Sequence, residues 1–422
     1  MPTTPHVDVV VLGAGIAGLA AARKLAEAGL SVVLLEARSR IGGRIFTTRT
    51  PATGLPVELG AEFVHGRPPE LLDLIHEAGL TLFERKGEFL CYDDGRIGDC
   101  GFFDEAFRLL DNLPASPDMT FAEFLAQKQS SEHVAARAKG YVEGFNAADA
   151  AIIGTAALLK QQQAEEAIAG DCSFRIVEGY DRLPAYLLNR FVTAGGQVHL
   201  DTPATAIHWK RREVGIETGN PSLPEIHAPR AIIALPLGVM QGDVVTIEPA
   251  PSGALAAIRK LAMGNATRIT LVFRERFWET STPDLSFLIA LEKTPPTWWT
   301  AAPNPSPTLT GWIAGPRALY APTGSGLKDA ALSALSTIFQ RADLESLFVG
   351  FHSHDWQADP FSLGAYSYAP KGALHASDEL ATPVENTLYF AGEHTDTTGH
   401  WGTVHAALRS GLRAAEQVIT ST

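Results

Sequence analysis

The stretch with the least conformational freedom is residues 7–36, "VDVVVLGAGIAGLAAARKLAEAGLSVVLLE". Residues 7–12 are a continuous β-branched run of the kind buried in a parallel sheet, and Gly13, Gly15 and Gly18 follow at once. Leu19, Ala22, Leu25 and Ala26 then recur at helical spacing until Gly29, where the helix is expected to stop. A second strand, "SVVLLE", ends on Glu36. Strand, glycine turn, helix, strand and acid, in that order, predict a dinucleotide-binding unit. Gly13 makes the tight turn, Gly15 admits backbone close to a pyrophosphate, and Gly18 lets the helix pack on the strand, with Ala17 beside them on the cofactor side. The helix N-terminus faces the phosphate charge. Glu36 suits a ribose hydroxyl and disfavours a 2′-phosphate, which leaves NAD or FAD.

The next segment, "ARSRIGGR", separates the two. Ala37, Arg38, Arg40, Gly43 and Arg44 offer backbone N–H groups and guanidinium forks to the same diphosphate, a second clamp that an ordinary NAD fold does not need.

Near the other end of the chain, residues 391–411 read "AGEHTDTTGHWGTVHAALRSG" and raise the question of a metal. His394, His400 and His405, with Glu393 and Asp396, supply suitable donor atoms. The spacing argues against it: two ligands share a helix face at i,i+4, whereas His400 and His405 are five apart and straddle Gly402. No metal is expected, and a glycine turn opening a helix near Thr403 is.

Composition narrows the partners. A chain of 422 residues, 45% hydrophobic and 19% charged, is long enough for two domains and a large core. Its net charge of −13 disfavours nucleic acid and anionic membrane. Cys91, Cys100 and Cys172 form no CxxC pair and are odd in number, which predicts unpaired thiols in a reducing compartment. The start, "MPTTPHVD", lacks the basic n-region of a secretory signal and reads as mature protein. No apolar run approaches 18 residues, so a soluble, cytoplasmic protein is expected, with its oligomeric state open.

"GAGIAGLAAARKL", "LLEARSRIGGR" and "LYFAGEHT…GTVHAALRSGLRAAE" together resemble the flavin-containing amine oxidase family, in which they occur in this order. The ending "GTVHAA" is similar to that of polyamine oxidases and lysine-specific demethylases rather than monoamine oxidases. The resemblance implies an α/β fold (α+β overall): a Rossmann-type FAD-binding domain of the glutathione-reductase and hydroxybenzoate-hydroxylase kind, interleaved with a mixed helix-and-sheet substrate domain. On that expectation residues 1–66, 172–258 and 375–422 bind FAD, and 67–171 and 259–374 bind substrate. Residues 68–165 read as mostly helical; strands are expected at "GGQVHLDTPATAIHW", "RAIIALPLGVM", "RITLVF" and "TLYFAG", and "TPPTWWTAAPNPSPTL" as a proline-rich loop.

The resemblance also assigns residues. Gly60 and Ala61 run along the flavin ring, Ala204 lies on the cofactor side, Gly392 and Glu393 meet the phosphate and ribitol end, and Thr403 and Val404 open the helix whose N–H groups point at the ring. Glu62 and His65 fall on the substrate side; Glu62 either contacts the substrate ammonium or pairs with a local arginine, Arg268 being the candidate. Tyr366 in "DPFSLGAYSYAPKG" supplies one wall of an aromatic cage, and Thr403, standing where monoamine oxidases have a tyrosine, leaves the other side open for a longer amine. Ala365 stands where monoamine oxidases carry a flavin-linking cysteine, so FAD is expected to be non-covalent. Arg268 replaces the family lysine linked to oxygen reactivity, an exchange that is not conservative. His394 and His405 are expected to be supporting hydrogen-bonders. The activity implied is amine oxidation by hydride transfer to flavin with O2 reduced to peroxide. Arg268 keeps open a dehydrogenase or desaturase acting on a non-amine, and a redox-silent FAD-binding module is the reading from a different class.

Overall fold

A computed structural model describes residues 7–50, 54–101 and 103–421; the first six residues, part of the expected mature start, lie outside the described residues. Strand Val9–Leu12 pairs in parallel with Val32–Leu35 on one side and Arg230–Ile233 on the other. Gln197–His199 and Leu388–Phe390 extend this sheet to five parallel strands. Strands Val9–Leu12 and Val32–Leu35 are apolar at every position because both faces are covered: Val9, Val11, Val32 and Leu34 enter one core, and Val10, Leu12, Val33 and Leu35 enter another.

Helices Ile16–Glu27, Arg182–Thr193 and Val404–Thr420 contribute to the first core. The glycines at their contacts are required by space. A Cβ on Gly18 would stand 1.9 Å from the Gly13 carbonyl oxygen, and one on Gly411 2.0 Å from that of Ala17. The last helix therefore lies directly against the first, on one face of the sheet.

A second, seven-stranded sheet runs in the order Phe348–His354, Ala266–Phe273, Thr308–Ala314, Thr297–Thr300, Leu285–Ile289, Glu88–Asp93, Arg96–Asp99. Helix Gly324–Ile338 packs in the core on one side of it. The segment 68–165 does contain helices, among them Pro69–Glu77, Glu132–Asn146 and Thr155–Ala167, yet it also supplies two strands to this sheet. Those strands were missed because Glu88–Asp93 lies beside Leu285–Ile289, a partner nearly two hundred residues away.

Three further expectations need correction. Only Arg230–Ile233 of "RAIIALPLGVM" is a strand; Pro236 caps a short helix, Leu237–Gln241, because its fixed φ suits a helix start. The proline-rich loop holds a strand, Thr297–Thr300, framed by neighbours on both sides. Cys91 and Cys100 are joined as a disulfide, since the hairpin turn sets Cys91 opposite Gly98, two residues short of Cys100; Cys172 is the free cysteine. Among the described residues, no helix is long and apolar enough to cross a membrane.

Candidate active site

A cavity of about 600 Å³ opens beside the carboxyl ends of the parallel strands, where open α/β sheets bind their ligands. Gly13, Gly15, Ala17, Glu36, Ala37, Arg38, Gly43, Arg44, Gly60, Ala61, Glu62, Ala204, Arg268, Tyr366, Gly392, Glu393, Thr403 and Val404 all line it. Gly18, also expected at the cofactor, does not; it is spent on the helix–turn contact described above.

At one end, both carboxylate oxygens of buried Glu36 are fixed by backbone, accepting from Ala14 N at 2.7 Å and from Arg38 N at 2.9 Å. Each oxygen retains a lone pair, which a ribose hydroxyl can use. Gly15 has open space where a Cβ would stand, and it caps helix Ile16–Glu27, whose first-turn N–H groups have no intrahelical acceptor. These features fit a diphosphate and, beyond it, the FAD expected from the sequence.

The arginine clamp is narrower than expected. Arg38 is committed to Asp359 at 2.6 Å, and Arg40, whose Nη1 donates to the Gly43 carbonyl, lies outside the cavity lining over the Phe46 ring. Burial draws the Arg40 guanidinium down to about 10. Arg44 also lines the cavity, held by Glu393 at 2.9 Å and by the Ala365 carbonyl at 2.8 Å.

Glu393 joins the chain ends across the site. Besides Arg44 it accepts from Ser367 Oγ at 2.6 Å and from Gly402 N at 2.9 Å. Burial works to raise its pKa, but Arg44, His394 and the Ser367 bond outweigh it and keep the carboxyl below its ordinary range. Thr403 caps helix Val404–Thr420, its hydroxyl accepting from Ala406 N at 3.2 Å. Val404, the next residue, lines the cavity at a helix start.

On the far side, Glu62 is paired. Arg268 Nη2 lies 2.5 Å from Glu62 Oε2, Trp299 Nε1 donates to the same oxygen at 3.0 Å, and Arg175 Nη2 stands 2.8 Å from Oε1 as an ion pair without hydrogen-bond alignment. Burial would raise the Glu62 pKa; Arg268 and Arg175 hold it below the usual carboxylate range. Of the two alternatives, pairing with a local arginine is the one observed, and two arginines do it. Arg268 Nη1 also donates to the Gly60 carbonyl at 3.1 Å, so the guanidinium is fixed rather than free. Arg175 was not foreseen, although an arginine inside the apolar strand Ser173–Ile176 is a signal of buried pairing.

The side of the cavity expected to take substrate is aromatic. Phe63, Phe287, Trp299, Trp312, Tyr141 and Phe145 line it with Tyr366, whose hydroxyl donates to the Phe145 carbonyl at 2.7 Å. The Tyr366 ring fills the space beside Gly402, where a Cβ would approach within 2.8 Å. Trp299 and Trp312 escaped sequence reading because they sit in strands whose pairing sets their position.

The histidines differ from expectation. His394 Nδ1 and His405 Nε2 are buried without a hydrogen-bond partner, and burial depresses their pKa values to about 4 and about 2. It is His400 that bonds, through Nδ1 to Thr398 Oγ1 at 2.8 Å and Nε2 to the Ala164 carbonyl at 3.0 Å. His65 lines the cavity, its pKa brought to about 4 by burial and then by Arg85. Among the described residues no group of three or more His, Cys, Asp or Glu is disposed to hold a metal.

A family profile described as flavin containing amine oxidoreductase matches residues 16–115 and 96–419. Polyamine oxidase 2 of Arabidopsis thaliana is 29% identical over 98% of this chain and 88% of its own, and polyamine oxidase 4 of Oryza sativa subsp. japonica is 28% identical over 97% and 88%. Among solved structures, putrescine oxidase bound to putrescine superposes with a TM-score of 0.84 at 21% identity, covering 99% of this chain and 100% of that one. Cyclohexylamine oxidase from Brevibacterium oxydans IH-35A gives 0.83 at 23% identity, covering 99% of both.

Proposed function

The chain belongs to the flavin-containing amine oxidoreductases, and on that premise we propose that it binds FAD non-covalently and oxidises an amine with O2 as electron acceptor. One observation carries this reading: a single cavity joins Glu36 and the start of helix Ile16–Glu27 to Tyr366, Thr403 and Val404. Bound FAD would supply the hydride acceptor, N5 taking hydride from the amine α-carbon to leave an imine that hydrolyses to aldehyde or ketone, and O2 taking the electrons to give peroxide.

The residues supply binding, orientation and exclusion of water. Glu36 would hold the ribose, and Gly15 with the helix behind it the diphosphate. Val404 would direct a backbone N–H toward the ring, where negative charge is favoured. Tyr366, tied down at its hydroxyl, presents a fixed aromatic face to the substrate nitrogen. Glu62, balanced by two arginines, serves to hold Arg268 and does not take a proton. Ala365 carries no thiol, which supports non-covalent attachment. Division into cofactor segments 1–66, 172–258 and 375–422 and substrate segments 67–171 and 259–374 is supported by the sheets: all five parallel strands fall in the first set, and all seven of the large sheet in the second.

Anaerobic titration with mono- and polyamines tests the reading. Bleaching of the oxidised flavin's visible absorbance, followed by peroxide on admitting air, is expected. Arg268 favours one second reading, a dehydrogenase, because the fork bound to Glu62 and Gly60 offers no free ammonium. Flavin reduced by substrate but not reoxidised in air would select it, and no bleaching by any amine would sink amine oxidation.

A further inference from the structure

Two guanidinium groups cap opposite ends of a ring stack in the substrate half of the cavity. Arg268 lies 5.5 Å from the Trp299 ring centre, Trp299 stacks on Phe287 at 5.4 Å between centroids, and Arg85 lies 4.3 Å from the Phe287 ring. The caps differ in what balances them. Arg268 has Glu62. Arg85 is held by two neutral hydroxyls, Nε donating to Ser173 Oγ at 2.8 Å and Nη1 to Ser286 Oγ at 2.9 Å, and among the described residues no carboxylate lies within 4.0 Å of it.

Arg85 is more than half buried, lines the cavity and faces no counter-ion. A guanidinium withdrawn from water without an anion is costly, and the two serines orient its fork while leaving the charge uncompensated. Its charge is felt at His65, whose pKa is lowered first by burial and second by Arg85. Glu62 cannot supply the missing charge, since Arg268 and Arg175 already share it. A planar fork beside apolar ring walls matches a carboxylate, which it can engage with two parallel hydrogen bonds.

We propose that Arg85 is the binding point for a carboxylate borne by the substrate. The class this selects, resting on the amine-oxidation reading above, is a monoamine whose carboxylate is separated from the amine-bearing carbon by several carbons or a ring, because the rings of Phe145, His65, Phe63 and Phe287, in contact one after another, lie between Tyr366 and Arg85. A second ammonium at that end meets a cation, so simple diamines are the poorer substrates. The aromatic walls cover the apolar spacer.

The test needs no turnover. Hexanoate and its neutral isostere hexanamide are titrated into the holoenzyme, with tryptophan fluorescence and flavin absorbance as readouts. Hexanoate is expected to bind at least tenfold more tightly than hexanamide, with that preference abolished in Arg85→Gln and partly kept in Arg85→Lys. Equal affinities for acid and amide in the unaltered protein overturn the proposal, as does an Arg85→Gln protein that retains flavin and still prefers the acid. In turnover, 6-aminohexanoate should exceed 1,6-diaminohexane by tenfold or more in kcat/KM, and the reverse order counts against Arg85. A protein bleached by no amine but selective for hexanoate refutes amine oxidation and leaves the carboxylate site standing.

Discussion

Arg268 Nη2 lies 2.5 Å from Glu62 Oε2, although 206 residues separate them, and the same guanidinium donates to the Gly60 carbonyl. Arg268 is buried, the Glu62 side chain is 11% exposed, and Arg175 stands at the other carboxylate oxygen. Removing one member of such a cluster leaves a charge without compensation, which costs about 3–5 kcal/mol. Glu62→Gln should therefore lower the unfolding free energy by that scale, read as a lower denaturant midpoint at unchanged m-value. An unfolding free energy within about 0.5 kcal/mol of the parent, the range of ordinary surface substitutions, would show the cluster to be indifferent.

Arg268→Lys exchanges a fixed fork for a single mobile ammonium, which cannot serve Glu62 and the Gly60 carbonyl together in the same geometry. Reoxidation of the reduced protein by O2, followed by stopped flow, should quicken by roughly tenfold, equivalent to about 1.4 kcal/mol in barrier height. An unaltered rate would mean that this position does not act on oxygen reactivity.

Glu36→Ala deletes the acceptor of two backbone N–H groups as well as the expected ribose contact. Hydrogen bonds to charged groups contribute about 1.5–3 kcal/mol each, so FAD affinity should fall by one to two orders of magnitude. Ultrafiltration after dilution reads the retained flavin, and full retention would misplace the ribose.

Glu58 lies behind the Arg268 cluster, accepting from Thr47 Oγ1 at 2.6 Å and Tyr180 N at 2.9 Å. Burial raises its pKa from 4.5 to about 7 against those bonds. A carboxyl whose folded pKa exceeds its unfolded value contributes stability below the unfolded pKa, and that contribution is lost as pH rises to the folded one. Relative to Glu58→Gln, the parent should thus lose on the order of 3 kcal/mol between pH 4.5 and pH 7. Parallel stability curves for the two proteins across that window would contradict the shift.

Gly411→Ala places a methyl 2.0 Å from the Ala17 carbonyl oxygen at the contact of the first and last helices. Backbone must move, and overpacking costs about 1–3 kcal/mol or more. Thermal stability and flavin retention should fall together, because Ala17 and Val404 both line the cavity from these two helices. Loss of neither would show that the helices can separate without disturbing the site.

Reading the chain alone located the first strand–helix–strand unit and the start of the last helix, whose signals are local. The β-branched run, its glycines, Glu36 and the helix opened by Thr403 were all legible because period, turn chemistry and capping are written within a few neighbouring residues. Family resemblance then carried the cofactor residues into one cavity with the exception of Gly18. Which charges meet was decided by tertiary structure alone. Arg175 reaches Glu62 from strand Ser173–Ile176, Trp299 reaches it from a strand inside a proline-rich segment, and Arg40 turns away to Phe46. Nothing local distinguishes an arginine that will find a carboxylate from one that, like Arg85, is left facing a cavity without one. That outcome depends on cross-strand order and on which side chains burial brings together over hundreds of residues, and desolvation then determines the charge each group carries.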